Sequence, residues 1–107
     1  MIEVRYPFEM TFKIFKRKWS VLIIWELNQK KMRLSELGRI LEGCNEKVLI
    51  ETLDSLIEYD IVKKRCNNGY PKYVEYSLTT LGKMIVPILK EADDFGKKYI
   101  ENLVSDL

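Results

Sequence analysis

The sequence predicts a mainly α chain with a small β-hairpin (α+β), arranged as a winged helix-turn-helix with a long C-terminal dimerisation helix. Three observations carry this reading. First, Leu49, Leu53, Leu56 and Ile57 recur at helical spacing just after Asn45, a residue type suited to capping a helix N-terminus. Second, a basic strand, Val62-Lys63-Lys64-Arg65-Cys66, is followed by a turn at Asn67-Asn68-Gly69-Tyr70-Pro71 and an alternating strand from Tyr73 to Leu78. Third, Leu81, Ile85, Ile88, Ala92, Phe95 and Tyr99 step by four, three, four, three and four, nearly three heptads of an apolar seam.

The elements follow in chain order. Phe8, Phe12, Phe15 and Trp19 lie on one stripe of a first amphipathic helix, placed over about 8–18 and ending in Lys16-Arg17-Lys18, whose charge favours a helix C-terminus. Lys18 to Asn28 reads as a buried second helix with Leu22, Ile23, Trp25 and Leu27 as core. Met32-Arg33-Leu34 suits a short strand pairing with the hairpin. Ser35 is placed as the cap of a third helix running to Leu41, with Leu37, Ile40 and Leu41 inward and Glu36 and Arg39 outward. Gly43 ends that helix in the left-handed conformation, and Gly43-Cys44-Asn45 is the turn of the helix-turn-helix. The recognition helix, 45–58, then turns Lys47, Glu51, Asp54, Ser55 and Glu58 outward. In the second hairpin strand Val74, Tyr76 and Leu78 share the core face. Thr79 or Thr80 caps a last helix over about 80–103, which Pro87 is expected to kink.

Composition bounds the function. A chain of 107 residues, 47% of them hydrophobic, reads as one domain over 1–107 with its core at about 18–82. No apolar run reaches transmembrane length, the N-terminus lacks a basic-then-apolar export signal, and the two cysteines stand far apart. These features point to a reduced, cytoplasmic protein with no membrane partner. The chain has no histidine, so the usual Ser-His and Cys-His nucleophile pairs cannot be built and a zinc site is not expected. No enzyme, metal or cofactor is expected.

Charge is distributed in blocks. Residues 1–43 carry nine Lys/Arg against five Asp/Glu, and residues 61–83 carry five against one. The intervening 44–60 reverse the balance, one against five. Positive charge gathered in the first third and the hairpin suits phosphate contacts. The expected function is sequence-specific binding of double-stranded DNA by a homodimer, with the recognition helix in the major groove and the wing, 62–78, on the backbone and minor groove. Asn45, Lys47, Val48 and Glu51 are the candidate base-facing residues; Asn prefers adenine, Lys guanine, and Glu accepts from cytosine N4. Lys63, Lys64, Arg65 and Lys72 are the candidate backbone contacts, and Arg33, Ser35, Thr52 and Asn68 complete the candidate DNA-binding set. Phe8, Phe12 and Phe15, together with Leu81, Ile85, Ile88, Ala92, Phe95 and Tyr99, are assigned to the dimer interface. A small-molecule effector cleft lined by Phe12, Phe15, Trp19, Trp25 and Tyr99 is weighed against simple core packing. The alternative function is a winged-helix protein-interaction module that has lost DNA binding and uses its acidic helix. Cys44, at a helix start where the dipole lowers a thiol pKa, and Cys66, in a strand, are weighed as redox sensors against plain buried side chains.

The segments Lys18-Trp19-Ser20-Val21-Leu22-Ile23-Ile24, Arg33-Leu34-Ser35-Glu36-Leu37 and Val74-Glu75-Tyr76-Ser77-Leu78-Thr79-Thr80-Leu81-Gly82 resemble the signatures of the HxlR family, MarR-related winged helix-turn-helix regulators. The resemblance covers about residues 6 to 96, and Pro87 is similar to a proline common in the family's last helix. It implies a dimeric DNA-binding regulator, often acting near its own promoter. Three positions depart from the family pattern. Tyr6 precedes Pro7 where the family often has a cysteine, so that thiol switch does not carry over. Thr52 and Asp54 stand near positions where the family usually has arginines, and Tyr73, preceded by Lys72, stands where an arginine is usual.

Overall fold

In the computed structural model, which describes residues 3–69 and 71–105, the order is α1 (Phe8–Ile14), α2 (Lys18–Leu27), β1 (Met32–Arg33), α3 (Leu34–Ile40), α4 (Glu46–Glu58), β2 (Val62–Asn67), β3 (Tyr73–Leu78), α5 (Thr80–Lys83) and α6 (Val86–Ser105). The strands form one antiparallel sheet in the order β1-β3-β2. Winged helix-turn-helix architecture follows: α3, a short turn and α4, then the β2–β3 hairpin, with β1 completing the sheet as its spacing suggested. Tyr70, in the hairpin turn, lies outside the described residues.

The core forms where α2, α4 and the inner sheet face meet. α2 buries Ser20, Ile23, Ile24 and Leu27, one face at helical spacing. Leu22, expected in the core, is 37% exposed, and Trp25 is only half-buried. A set of 22, 23, 25 and 27 spans most of a helix circumference, and the geometry selects the narrower stripe. α4 buries Leu49, Leu53 and Leu56 as its periodicity required, with Ile57 half-buried at the margin. From the sheet, Met32, Val62, Tyr76 and Leu78 complete the core. The inward face of β3 is the expected one.

Four expectations about the helices change. The stripe Phe8 to Trp19 does not lie on one helix: α1 stops at Ile14, Arg17 is extended, and Trp19 belongs to α2. The Lys16-Arg17-Lys18 triplet therefore spans the bend and the start of α2, and α1 itself buries nothing. The third helix starts two residues earlier than expected, with Arg33 rather than Ser35 at its N-cap. Glu36 accepts a hydrogen bond from the Arg33 N–H at 3.2 Å and is paired with Lys30 at 3.1 Å, which holds its carboxyl below the usual range. Ile40 is 45% exposed, because α3 ends there and Leu41 turns inward in its place.

The C-terminal region is the fourth change. Thr79 caps α5 by accepting from the Gly82 N–H at 2.9 Å, but the helix breaks at Met84–Ile85 and restarts as α6. Pro87 is the second residue of that new helix, where its missing N–H has no intrahelical partner to lose, so it begins a helix instead of kinking one. Ile85, assigned to a dimer seam, is 7% exposed and belongs to this protomer's own core. α6 buries Val86 and Leu89 against the body, and none of its other residues is buried.

Between α4 and β2 the chain turns through a tight helix stop. Asp60 adopts φ 60°, and its N–H donates to Ile57 O while the Ile61 N–H donates to Leu56 O, the paired bonds of a left-handed helix terminus. The Ile61 carbonyl accepts from the Thr79 N–H at 3.0 Å, and the Thr79 hydroxyl donates to Asp60 O at 2.7 Å. The end of α4, the start of the hairpin and the start of α5 are thereby fastened at one point.

Candidate nucleic-acid interface

The exposed face of α4 is set by its first turn. Asn45 is extended, and its side-chain oxygen accepts the Val48 N–H at 2.8 Å, the cap expected from the sequence. Gly43, at φ 88°, supplies the left-handed residue the preceding turn needs. With the stripe of Leu49, Leu53 and Leu56 packed inward, solvent meets Lys47, Ile50, Glu51, Asp54 and Glu58, while Val48 is half-buried. Thr52, a candidate DNA-binding residue, is fully buried, and its hydroxyl donates to Val48 O at 2.7 Å. It lies one residue from the outer face, on the core side of the helix, and cannot reach a groove. Ile50, exposed beside Glu51, was missed because an isoleucine in an amphipathic helix reads as core.

The basic strand does not present one patch. Side chains alternate along a strand, and Val62 points into the core. Lys64 and Cys66 share that inner side, and Lys63 and Arg65 take the other. The register agrees: Lys64 is opposite buried Tyr76, whereas Lys63 and Arg65 are opposite Ser77 and Glu75. Burial pushes the Tyr76 hydroxyl pKa up, and the Lys64 charge opposes that while Asp54 adds to it, so the α4 and β2 charges converge around this ring. Lys64 is thus the residue of the triplet that belongs with α4. Asn68 and Lys72 are exposed in the hairpin turn, where the Asn67 side chain accepts from the Gly69 N–H and donates to Pro71 O. Arg33 is exposed on β1 with its guanidinium 3.9 Å from the Tyr73 ring centroid, and Ser35 is exposed in the first turn of α3. Arg33 and Lys72 are therefore both next to Tyr73, one stacked on it and one preceding it in the chain.

Cys44 departs from expectation. Desolvation raises its thiol pKa instead of the helix dipole lowering it, and its Sγ donates to Asn45 O at 3.7 Å. Cys66 is exposed. An apolar cleft of about 460 Å³ does open between α2 and α6, lined by Val21, Leu22, Trp25, Leu89, Ala92 and Asp93. Of the aromatic residues proposed for it, Trp25 lines the wall; Phe12, Phe15, Trp19 and Tyr99 do not. Among the described residues no group of three His, Cys, Asp or Glu side chains is placed to hold a metal, and no helix is long and apolar enough to cross a membrane.

The profile of the HxlR-like helix-turn-helix family matches residues 14–104. The chain belongs to the HxlR family. It is 38% identical over 94 residues to the HTH-type transcriptional regulator YkvN of Bacillus subtilis, a match spanning 88% of this chain and 80% of YkvN. Its structure is similar to a MarR-family transcriptional regulator from Porphyromonas gingivalis W83, with a TM-score of 0.82, 37% identity, and 91% and 95% of the two chains covered. It is similar as well to the redox regulator HypR in its reduced form, with a TM-score of 0.85, 28% identity, and 94% and 99% covered. YkvN and the Porphyromonas gingivalis protein are transcriptional regulators. As an HxlR-family member, this chain is a helix-turn-helix transcriptional regulator of a DNA-binding class. The resemblance read from the signature segments is borne out.

Proposed function

We propose that this HxlR-family regulator acts as a homodimer that lays α4 in the major groove of double-stranded DNA and the β2–β3 wing along the neighbouring backbone. The observation that carries the reading is the outer face of α4, fixed by the Asn45 cap and flanked on the sheet by Lys64. On that face Asn45, Lys47, Val48 and Glu51 are the residues for base edges, where Glu51 finds hydrogen-bond donors only on cytosine N4 and adenine N6. Lys64, Asn68 and Lys72 supply attraction to phosphate. Glu51, Asp54 and Glu58 oppose that attraction, so binding is weaker and its salt dependence shallower than a fully basic helix would give.

Dimerisation is supported by apolar surface that one protomer leaves open. Beyond Leu89, α6 exposes Phe95, Tyr99, Ile100, Leu103 and Val104, and α1 exposes Phe8 and Phe12. Aromatic and aliphatic side chains on a helix that touches the body only at its first turn fit a two-fold partner with the same surface. Ile88 and Ala92, also exposed, extend the strip toward the body, and Leu81 lies at its base.

The test is fluorescence anisotropy on a mixed-sequence duplex across a salt series, with Lys64→Gln and Lys72→Gln alongside. Affinity should fall steeply with salt, and each variant should reduce the slope of log K against log salt by about 1. No binding at low salt would overturn the reading and leave α4 as an acidic surface for a protein partner.

A further inference from the structure

The sheet has a second charged face that the reading above leaves unused. It points away from α4, and its composition follows from the register. Across the three strands, Arg33, Glu75 and Arg65 stand side by side, and Lys63 lies in the next outward row opposite Ser77. Lys31, one residue before β1, reaches over the same surface, with its ammonium 3.9 Å from the Glu75 carboxylate. Four cations therefore surround one acid at the centre of the outer face.

Two recesses make this face concave. One, of about 340 Å³, is lined by Lys31, Arg65, Cys66, Asn67, Tyr73 and Glu75, and its wall is almost wholly polar. The other, of about 300 Å³, adjoins it through Lys31 and adds Lys30, Lys63 and Lys83, with Leu27 and Leu78 also in its wall. Lys30 is engaged by Glu36, but Glu75 cannot neutralise Lys31, Arg33, Lys63 and Arg65 together. The first hollow, polar and cationic, offers little to an apolar peptide, and four lysines line the second. Together they suit a row of phosphodiesters, each a single negative charge with two acceptor oxygens. The face is also continuous with the wing, since Asn67 and Tyr73 form both its rim and the last paired residues of the hairpin.

We propose that the outer face of the sheet is a second phosphate-binding surface, which holds the duplex DNA that continues past the wing. This inference rests on the DNA-binding reading of α4. Duplex leaving the groove beneath the wing meets Arg65 and Lys31 first and Lys63 and Lys83 last. The contacts are to backbone, carry no sequence information, and draw the flanking duplex toward the protein. The bound site is then longer than the two half-sites read by a pair of α4 helices.

The experiment compares two mixed-sequence duplexes, one of about 20 base pairs spanning two half-sites and one of about 40 extended by a turn on each side. Full-length wild-type protein and the Lys31→Gln/Lys63→Gln/Arg65→Gln variant are titrated against both across a salt series, after thermal melts show that the variant folds. Wild type should give a steeper salt slope on the longer duplex, by about 0.9 for each added phosphate contact. The variant should lose that difference, with affinity for the longer duplex down about tenfold at moderate salt, and should bind the shorter one as wild type does. Equal slopes for wild type on the two lengths would overturn the inference while leaving the α4 reading intact. So would an equal loss on both duplexes, which would put these cations inside the half-sites. A variant indistinguishable from wild type on both would overturn it too and assign the face to an acidic protein. Failure of wild type to bind either duplex at low salt would instead remove the α4 reading itself.

Discussion

Gly82 shows how little room single positions leave. A Cβ there would overlap the Ile61 carbonyl, a backbone atom that already accepts from the Thr79 N–H. Gly82→Ala should therefore cost about 3 kcal/mol, in the range of strained core substitutions, measurable by urea denaturation. Gly38, in α3, has nothing within 4 Å of the same built atom. Gly38→Ala should stabilise by about 0.5–1 kcal/mol through helix propensity and a less flexible unfolded chain. Equal effects of the two would disprove the packing account. The cysteines separate in the same way. Burial holds the Cys44 thiol above its ordinary 9.0, so the neutral form is the folded form. Its contribution to stability is complete below the unfolded pKa and is lost as pH rises through the folded one. Cys66 is exposed. Iodoacetamide at neutral pH should modify Cys66 first, and mass spectrometry of a time course reads the order; prior labelling of Cys44 would contradict its burial.

Among the elements, α4 and α3 hold their starting turns by different means, and the difference is testable. Asn45→Ala removes the acceptor for the Val48 N–H and should cost about 1 kcal/mol, with a larger relative loss in DNA affinity, because the first turn carries Lys47. Glu36 supports α3 as a carboxylate, held low by the Arg33 N–H and Lys30. A lowered pKa contributes stability above its ordinary 4.5 and loses it as pH falls through the folded value. Glu36→Gln should therefore flatten the acid limb of the stability profile; an unchanged limb would place the sensitivity elsewhere. At this scale the sequence was readable wherever one signal sufficed. The Asn45 cap, the Gly43 turn, the leucine stripe of α4 and the alternation of Val74, Tyr76 and Leu78 are local, and the structure agrees with each. Readings that needed a third dimension failed. Phe8 and Trp19 share a period but not a helix, because period survives a bend. Pro87 marks a helix start instead of a kink, because the break at Met84–Ile85 lies in residues that are ordinary helix formers. The division of Lys63, Lys64 and Arg65 between two faces was implicit in strand alternation, but placing Lys31 and Arg33 beside Arg65 required the sheet order β1-β3-β2.

For the whole molecule, the balance of exposed apolar surface is the decisive quantity. Extents of 57 × 38 × 22 Å reflect an arm, α6, standing out from the winged body. If that arm pairs with a second copy, the melting temperature should rise with protein concentration, by mass action. Phe95→Glu, at a side chain 68% exposed, should shift sedimentation toward the monomer and weaken DNA binding at low protein concentration while leaving the winged body folded. A sedimentation coefficient unaffected by Phe95→Glu would remove α6 from the interface.

The junction at Ile61 and Thr79 has a mechanical consequence. It works as a rivet, not a joint: the end of α4, the root of the wing and the first turn of the C-terminal region are pinned through neighbouring carbonyls of Asp60 and Ile61. A force applied at any one of the three is felt by the other two without passing through a loop. Helix and wing then form a single rigid unit, whose angle changes as a whole or not at all.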